Sequence, residues 1–228
     1  MNGVRLLHRI ISVLLCYPDA ETRAQVAGLR AALAEYVPET PGRFARPAKI
    51  QEAARLAAAW ELVAGFMDHL ETTEPEVLEL GYVQTFDLSR KHALYLSYWT
   101  DGDTRRRGEV LARFKQAYRT SDFLVDTQGE LPDFLPMVLE YAAIADPAGG
   151  LKLMQDYRAS IELLRLALEE AESPYAMLLQ SLSATLPGPT VKDRAEAMAL
   201  AGHGPPTESV GLEPFNRELL PVRSVEHA

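Results

Sequence analysis

The residues able to do chemistry are few and scattered. His8, His69, His92, His203 and His227 form neither a His-x-x-x-His nor a His-Glu-x-x-His pair, the spacings that bring zinc ligands together on one helix face. Cys16 is the only cysteine, so no thiol pair exists for a disulfide, zinc or an iron–sulfur cluster. Asp101-Gly102-Asp103 starts like a calcium loop, but Arg105 and Arg106 stand where a ligand and a glycine are required, which leaves a helix cap. Nucleophile elbows, phosphate loops and dinucleotide fingerprints are absent. The expectation is a protein that is not an enzyme and holds no metal.

Two clusters stand out. Arg105-Arg106-Arg107 puts three cations into the first turn of a helix, where each opposes the macrodipole at a cost of ~0.3–1 kcal/mol. Neutralisation by Asp101, Asp103 and Glu109 at the surface, or a buried ion pair, would offset that. Glu130-Leu131-Pro132-Asp133-Phe134-Leu135-Pro136 places an acid at a helix start, with Pro132 setting the entry, and its helix runs on to Glu140 and Tyr141. Asp133 taken alone reads as a plain N-cap.

The elements that must position these groups are helical, because apolar residues recur three and four apart and alternating β-branched runs are few. Leu7, Ile10, Ile11, Leu14 and Leu15 predict a first helix ending at Pro18, and Val26, Leu29, Leu33 and Val37 a second closed by Pro38. Leu56, Trp60, Val63, Met67 and Leu70 form the seam of a long helix. A fourth helix follows Pro75 to about Phe86. Val110, Leu111, Phe114, Ala117 and Tyr118 mark another, opened by the Asp101-Gly102 turn and an Asp103 cap. Leu135, Val138, Leu139 and Ala142 give the next, Met154, Tyr157, Ile161, Leu164 and Leu168 one more long helix, and Tyr175, Leu178, Leu179 and Leu182 the last. The expected architecture is all-α: a compact bundle of about nine helices over 1–186. From Pro187 onward, six of 15 prolines and four of 14 glycines crowd into the last stretch, which predicts an irregular tail over 187–228 with one short helix at about 191–200.

Bulk properties narrow the partners. With 47% hydrophobic and 24% charged residues in 228, the chain can build a real core. Its 23 Lys and Arg against 32 Asp and Glu leave a formal charge of -9, which repels nucleic acid and anionic membranes and attracts a basic, arginine-bearing peptide. The lone cysteine fits a reducing compartment, with Cys16 as a small hydrophobe on an apolar helix. Arg5, His8 and Arg9 before the apolar run 10–17 mimic a secretory signal, but no cleavage triplet follows and the run is too short to span a bilayer, so it reads as the first core helix.

Four ordered motifs, Tyr82-Val83-Gln84-Thr85-Phe86-Asp87, His92-Ala93-Leu94-Tyr95-Leu96, Asp101-Gly102-Asp103-Thr104-Arg105-Arg106-Arg107-Gly108 and Glu130-Leu131-Pro132-Asp133-Phe134-Leu135-Pro136 with Leu139-Glu140-Tyr141, resemble the nitrate reductase assembly chaperones of the TorD-like redox-enzyme maturation family. The resemblance covers about 4–186, and the stretch 204–215 resembles the tails of that group. Phe134 departs from the histidine common after the motif's acid, which removes a hydrogen-bonding role there. The resemblance implies a TorD-like bundle acting in nitrate assimilation. It would bind unfolded protein, namely the N-terminal peptide of the nitrate reductase catalytic (alpha) subunit, and hold it ready for molybdenum cofactor insertion and membrane assembly.

The cofactor would then be handled through the partner, with none bound directly and no stable membrane insertion, by a cytoplasmic monomer or weak homodimer. Carried over to this chain, Tyr82, Phe86, Phe134 and Met137 would supply apolar contact while Asp87, Asp133 and Glu140 meet basic groups. The same aromatics read equally well as core. A helical bundle can expose an apolar groove for such a peptide, and Val210, Leu212, Phe215, Leu219 and Leu220 are candidates to fold back into it as a self-plug. A scaffolding subunit retained in the finished complex is the alternative.

Overall fold

The computed structural model describes residues 3–36, 42, 46–101, 106–121, 127 and 129–201. Among these, eleven α-helices and no strand are present, as the helical periodicity requires: α1 (Gly3–Leu14), α2 (Ala20–Glu35), α3 (Pro47–Thr72), α4 (Pro75–Tyr82), α5 (Leu96–Asp101), α6 (Arg106–Thr120), α7 (Leu135–Glu140), α8 (Pro147–Asp156), α9 (Arg158–Glu170), α10 (Ala176–Thr185) and α11 (Arg194–Leu200). The bundle is all-α.

Helix α1 is the axis of the molecule. Leu7, Ile10, Ile11 and Leu14 are fully enclosed, and His8, Ser12 and Val13 are buried as well, the signature of a helix covered nearly all round. It neighbours α2, α3, α7 and α10. His8 Nε2 lies 2.8 Å from Thr185 Oγ1 of α10. That hydroxyl already donates to the Leu182 carbonyl, so the imidazole donates to it. Burial lowers the His8 pKa to about 4. The long α3 opens on Pro47 and lays Val63, Phe66, Met67 and Leu70 against α10.

Two helices end in a π-helical turn instead of a cap. α4 continues into Val83–Asp87 and α7 into Tyr141–Ala145. Each wider turn leaves a carbonyl for a basic side chain: His92 Nδ1 donates to the Thr85 carbonyl at 3.0 Å, and Arg5 Nε to that of Ala143 at 2.9 Å. Gly150 of α8 abuts the second turn, where a Cβ would sit 2.4 Å from the Ala142 Cα, so the close approach requires glycine.

Several expectations need correction. The stripe through Met154 and Leu168 is not one helix, since the chain breaks at Tyr157 (φ -111, ψ 24) between α8 and α9. Helix α5 was not anticipated; it has six residues, too few to display a period. Asp101 ends α5, while the expected cap Asp103 lies outside the described residues, as do Arg105 and the proposed plug 210–220. The short helix near the C-terminus is α11; Val191 and Ala197 are buried against α9, while most of 187–200 is exposed.

Glu162 of α9 organises the tether of this stretch. It is fully buried, pairs with Arg158 (3.3 Å) and Arg165 (2.8 Å), and accepts from Ser183 Oγ at 2.7 Å. The two arginines in turn donate to the carbonyls of Pro187, Pro189 and Val191, satisfying a backbone too rich in proline to satisfy itself. Val191 and Ala197 close a small apolar cluster with Leu163.

Candidate functional site

The Glu130–Pro136 motif builds a clasp. Asp133 is fully buried and is not the cap of its own helix α7, where Phe134 takes the N-cap position without a side-chain bond. Its Oδ2 instead accepts from Ser97 N (3.0 Å) and Ser97 Oγ (2.6 Å), and its carbonyl accepts from Leu96 N at 3.0 Å. Asp133 thus satisfies the first two amides of α5. Leu135 N returns a bond to the Leu94 carbonyl at 2.8 Å, forming an isolated antiparallel bridge between Tyr95 and Phe134. The Tyr118 hydroxyl donates to the Pro132 carbonyl at 2.6 Å and the Tyr95 hydroxyl to Glu130 at 2.6 Å. Asp133 Oδ1 is buried with no hydrogen-bond partner among the described residues.

Held this way, Phe134, Met137 and Glu140 fall at successive turns on one side of α7 and line a cavity of about 390 Å³. The facing wall comes from α1, through Arg9, Ser12 and Val13 and, just past the helix end, Cys16. The start of α2 adds Asp19, Glu21, Thr22 and Gln25, with Pro136, Thr127 and Glu130 completing the lining. The wall is more polar than apolar, so the site is less greasy than the expected groove.

Charge dominates this cavity. Among the described residues, Asp19, Glu21, Glu130 and Glu140 line it with one cation, Arg9, which is hydrogen-bonded to Glu140. Asp19 accepts from Thr22 N at 2.8 Å as the cap of α2, which holds its carboxyl below the usual range and keeps it ionised. The Cys16 thiol donates to the Ser12 carbonyl, and burial, with Glu140 nearby, pushes its pKa up to about 11. A thiol so protonated is a poor nucleophile. Among the described residues no three His, Cys, Asp or Glu side chains are grouped to hold a metal ion.

Tyr82 and Phe86 lie elsewhere. The Tyr82 hydroxyl donates to the Leu15 carbonyl at 3.2 Å, and its ring, 7% exposed, meets Tyr17 edge-on (5.4 Å) and Phe86 at 4.8 Å. Tyr175 closes the cluster at 4.8 Å from Phe86. Burial raises the Tyr82 phenol well above its ordinary value. Tyr82 thereby holds the chain just past the end of α1, one residue before Cys16, while Asp87 is exposed at the end of the π-turn.

The structure therefore gathers Phe134, Met137 and Glu140, buries Asp133 beneath them, and sets Tyr82, Phe86 and Asp87 apart. Sequence reasoning missed Arg9, Ser12, Asp19 and Glu21. For the α1 side the signal was Arg9 and Ser12, three apart within the apolar run of the first helix, with Cys16 following its end. A second cavity of about 450 Å³, mainly apolar, lies between Arg158 and 187–200 and holds none of the motif residues.

The family model described as nitrate reductase delta subunit matches residues 50–180. The chain is 33% identical over 191 residues to a "Probable nitrate reductase molybdenum cofactor assembly chaperone NarJ" of Bacillus subtilis, covering 84% of this chain and 94% of that protein. It is 30% identical over 117 residues to the "Nitrate reductase molybdenum cofactor assembly chaperone NarJ" of Escherichia coli, covering 51% and 49%. With "Nitrate reductase-like protein NarX" of Mycobacterium tuberculosis it shares 43% over 127 residues, 56% of this chain but 19% of that longer protein.

Proposed function

The chain belongs to the nitrate reductase delta subunit family, and we propose that it is a nitrate reductase maturation chaperone whose acid-rimmed cavity receives a basic segment at the N-terminus of the catalytic (alpha) subunit. The segment would be kept competent for molybdenum cofactor insertion and membrane assembly. The names carried by the Bacillus subtilis and Escherichia coli relatives support the maturation role.

The observation that carries the docking mode is the cavity between α1 and α7, with four carboxylates at its edge and Phe134, Pro136, Met137 and Val13 on its wall. The cavity, about 390 Å³, has room for side chains of a docking segment. An amphipathic segment would lie across the mouth, send two or three anchors inward and present its cations to Asp19, Glu21 and Glu130. Ordering such a segment costs ~2–5 kcal/mol, which keeps the affinity moderate and lets the partner leave.

In this reading no reaction is catalysed, the cofactor is handled through the partner, and the protein works in the cytoplasm as a monomer or weak homodimer. No helix among the described residues is long and apolar enough to cross a membrane. Calorimetric titration with the N-terminal peptide and a scrambled control tests it: the native order should bind more tightly, and equal affinities would overturn the proposal.

The family's name, delta subunit, favours a second reading, a subunit retained in the finished enzyme. Copurification decides between them. A chaperone is recovered with cofactor-free catalytic subunit and absent from the mature complex, whereas a retained subunit is found in both.

A further inference from the structure

We propose that Arg9 is a built-in stand-in for the partner's cation: in the empty cavity its guanidinium holds Glu140, and an arginine of the docking segment takes its place. This deepens the docking mode above and rests on it.

Among the described residues, Arg9 is the only cation lining a cavity edged by four carboxylates. Its side chain is 31% exposed and that of Glu140 50%, so the pair sits at the mouth, in reach of an incoming group. Exposed pairs of this kind are weak and exchangeable. Nor is the pair needed to join the two helices. α1 and α7 are neighbours within one core that contains Leu7, Ile10 and Leu14 on one side and Leu135, Val138 and Leu139 on the other. Arg5, one turn earlier, already ties α1 to the π-turn through the Ala143 carbonyl.

The arrangement has a specificity consequence. A guanidinium is planar and grips a carboxylate with two parallel donors, so the partner group that best replaces Arg9 is another arginine. Lysine offers a more strongly hydrated point charge and displaces it less well. Segments without arginine leave the Arg9–Glu140 pair closed across the cavity, so the internal pair filters ligands as well as neutralising the site.

The test is a set of calorimetric titrations of the full chain, wild type, Arg9→Ala, Glu140→Gln and the double variant. The probes are a synthetic amphipathic peptide bearing arginines on one face and its twin with citrulline at those positions. Arg9→Ala should bind the arginine peptide about threefold to fivefold more tightly, with the citrulline peptide unaffected. The gain should vanish in the Glu140→Gln background, which isolates the pair.

Wild-type binding combined with unchanged or weaker binding by Arg9→Ala overturns the inference alone, leaving Arg9 a simple strap or a direct contact to the partner. Failure of the wild type to bind either peptide overturns the docking mode itself and the inference with it. Melting curves of the four proteins establish that each is folded before it is titrated.

Discussion

Asp133 and Ser97 are bound to each other across 36 positions of sequence, the carboxylate accepting from the serine amide at 3.0 Å and its hydroxyl at 2.6 Å. An acid at the mouth of one helix therefore caps the beginning of another, and the wall of the cavity depends on it. Asp133→Ala would leave two buried donors without an acceptor and should cost about 1–3 kcal/mol in urea unfolding. Affinity of the folded fraction for peptide should change little, because Asp133 does not line the cavity. A variant with full stability and lost binding would contradict this placement.

Tyr82 and Met137 are expected to separate support from contact. Tyr82→Phe removes the hydroxyl bond to the Leu15 carbonyl and should lower stability by about 0.5–1.5 kcal/mol, with any loss of binding following from that. Met137→Ala, at a half-buried position that packs on the core and lines the cavity, should weaken peptide binding even where the variant is fully folded. Reversed outcomes would place the peptide on the aromatic cluster instead.

His8 sets a pH dependence. Its imidazole is held near a pKa of about 4 in the folded chain, against an ordinary value near 6.5. Above about 6.5 both folded and unfolded states are neutral, and the contribution is fully present. As pH falls toward 4 the unfolded chain takes up a proton that the folded chain refuses, and stability drops by on the order of 3 kcal/mol from this group. His8→Gln should flatten urea midpoints measured between pH 4 and 6.5, and an identical slope in the variant would remove His8 as the cause.

Glu162 anchors the C-terminal stretch. Glu162→Ala leaves Arg158 and Arg165 buried without their shared carboxylate and should destabilise by about 3–5 kcal/mol. Protease cleavage within 187–200 should accelerate before the rest of the chain is attacked. Uniform cleavage would argue against a local anchor.

How legible this molecule is from its residues depends on where the ordering force comes from. Helices stabilised by their own apolar stripe, such as α1 and α3, can be read directly from period. The break at Tyr157 carries no glycine or proline, and the periodic pattern runs through it unchanged. Helix α5 owes its first turn to an acceptor from a remote segment, which no local window contains. The tethering of 187–191 was hidden for a related reason, because its carbonyls are satisfied by arginines of α9. In the cavity, the α7 side was traceable through motif resemblance, whereas the α1 side looked like polar interruptions of a core helix until the fold turned them toward α7.

Cys16 offers the most direct test of the cavity as a docking site, since it is the only cysteine in the chain and lies in the wall between α1 and α2. Its alkylation rate at mildly alkaline pH should be measured with increasing N-terminal peptide of the catalytic subunit. The account predicts that the rate falls and saturates with the midpoint found by calorimetry. Peptide binding that leaves the Cys16 rate unchanged would place the partner on another surface and contradict it.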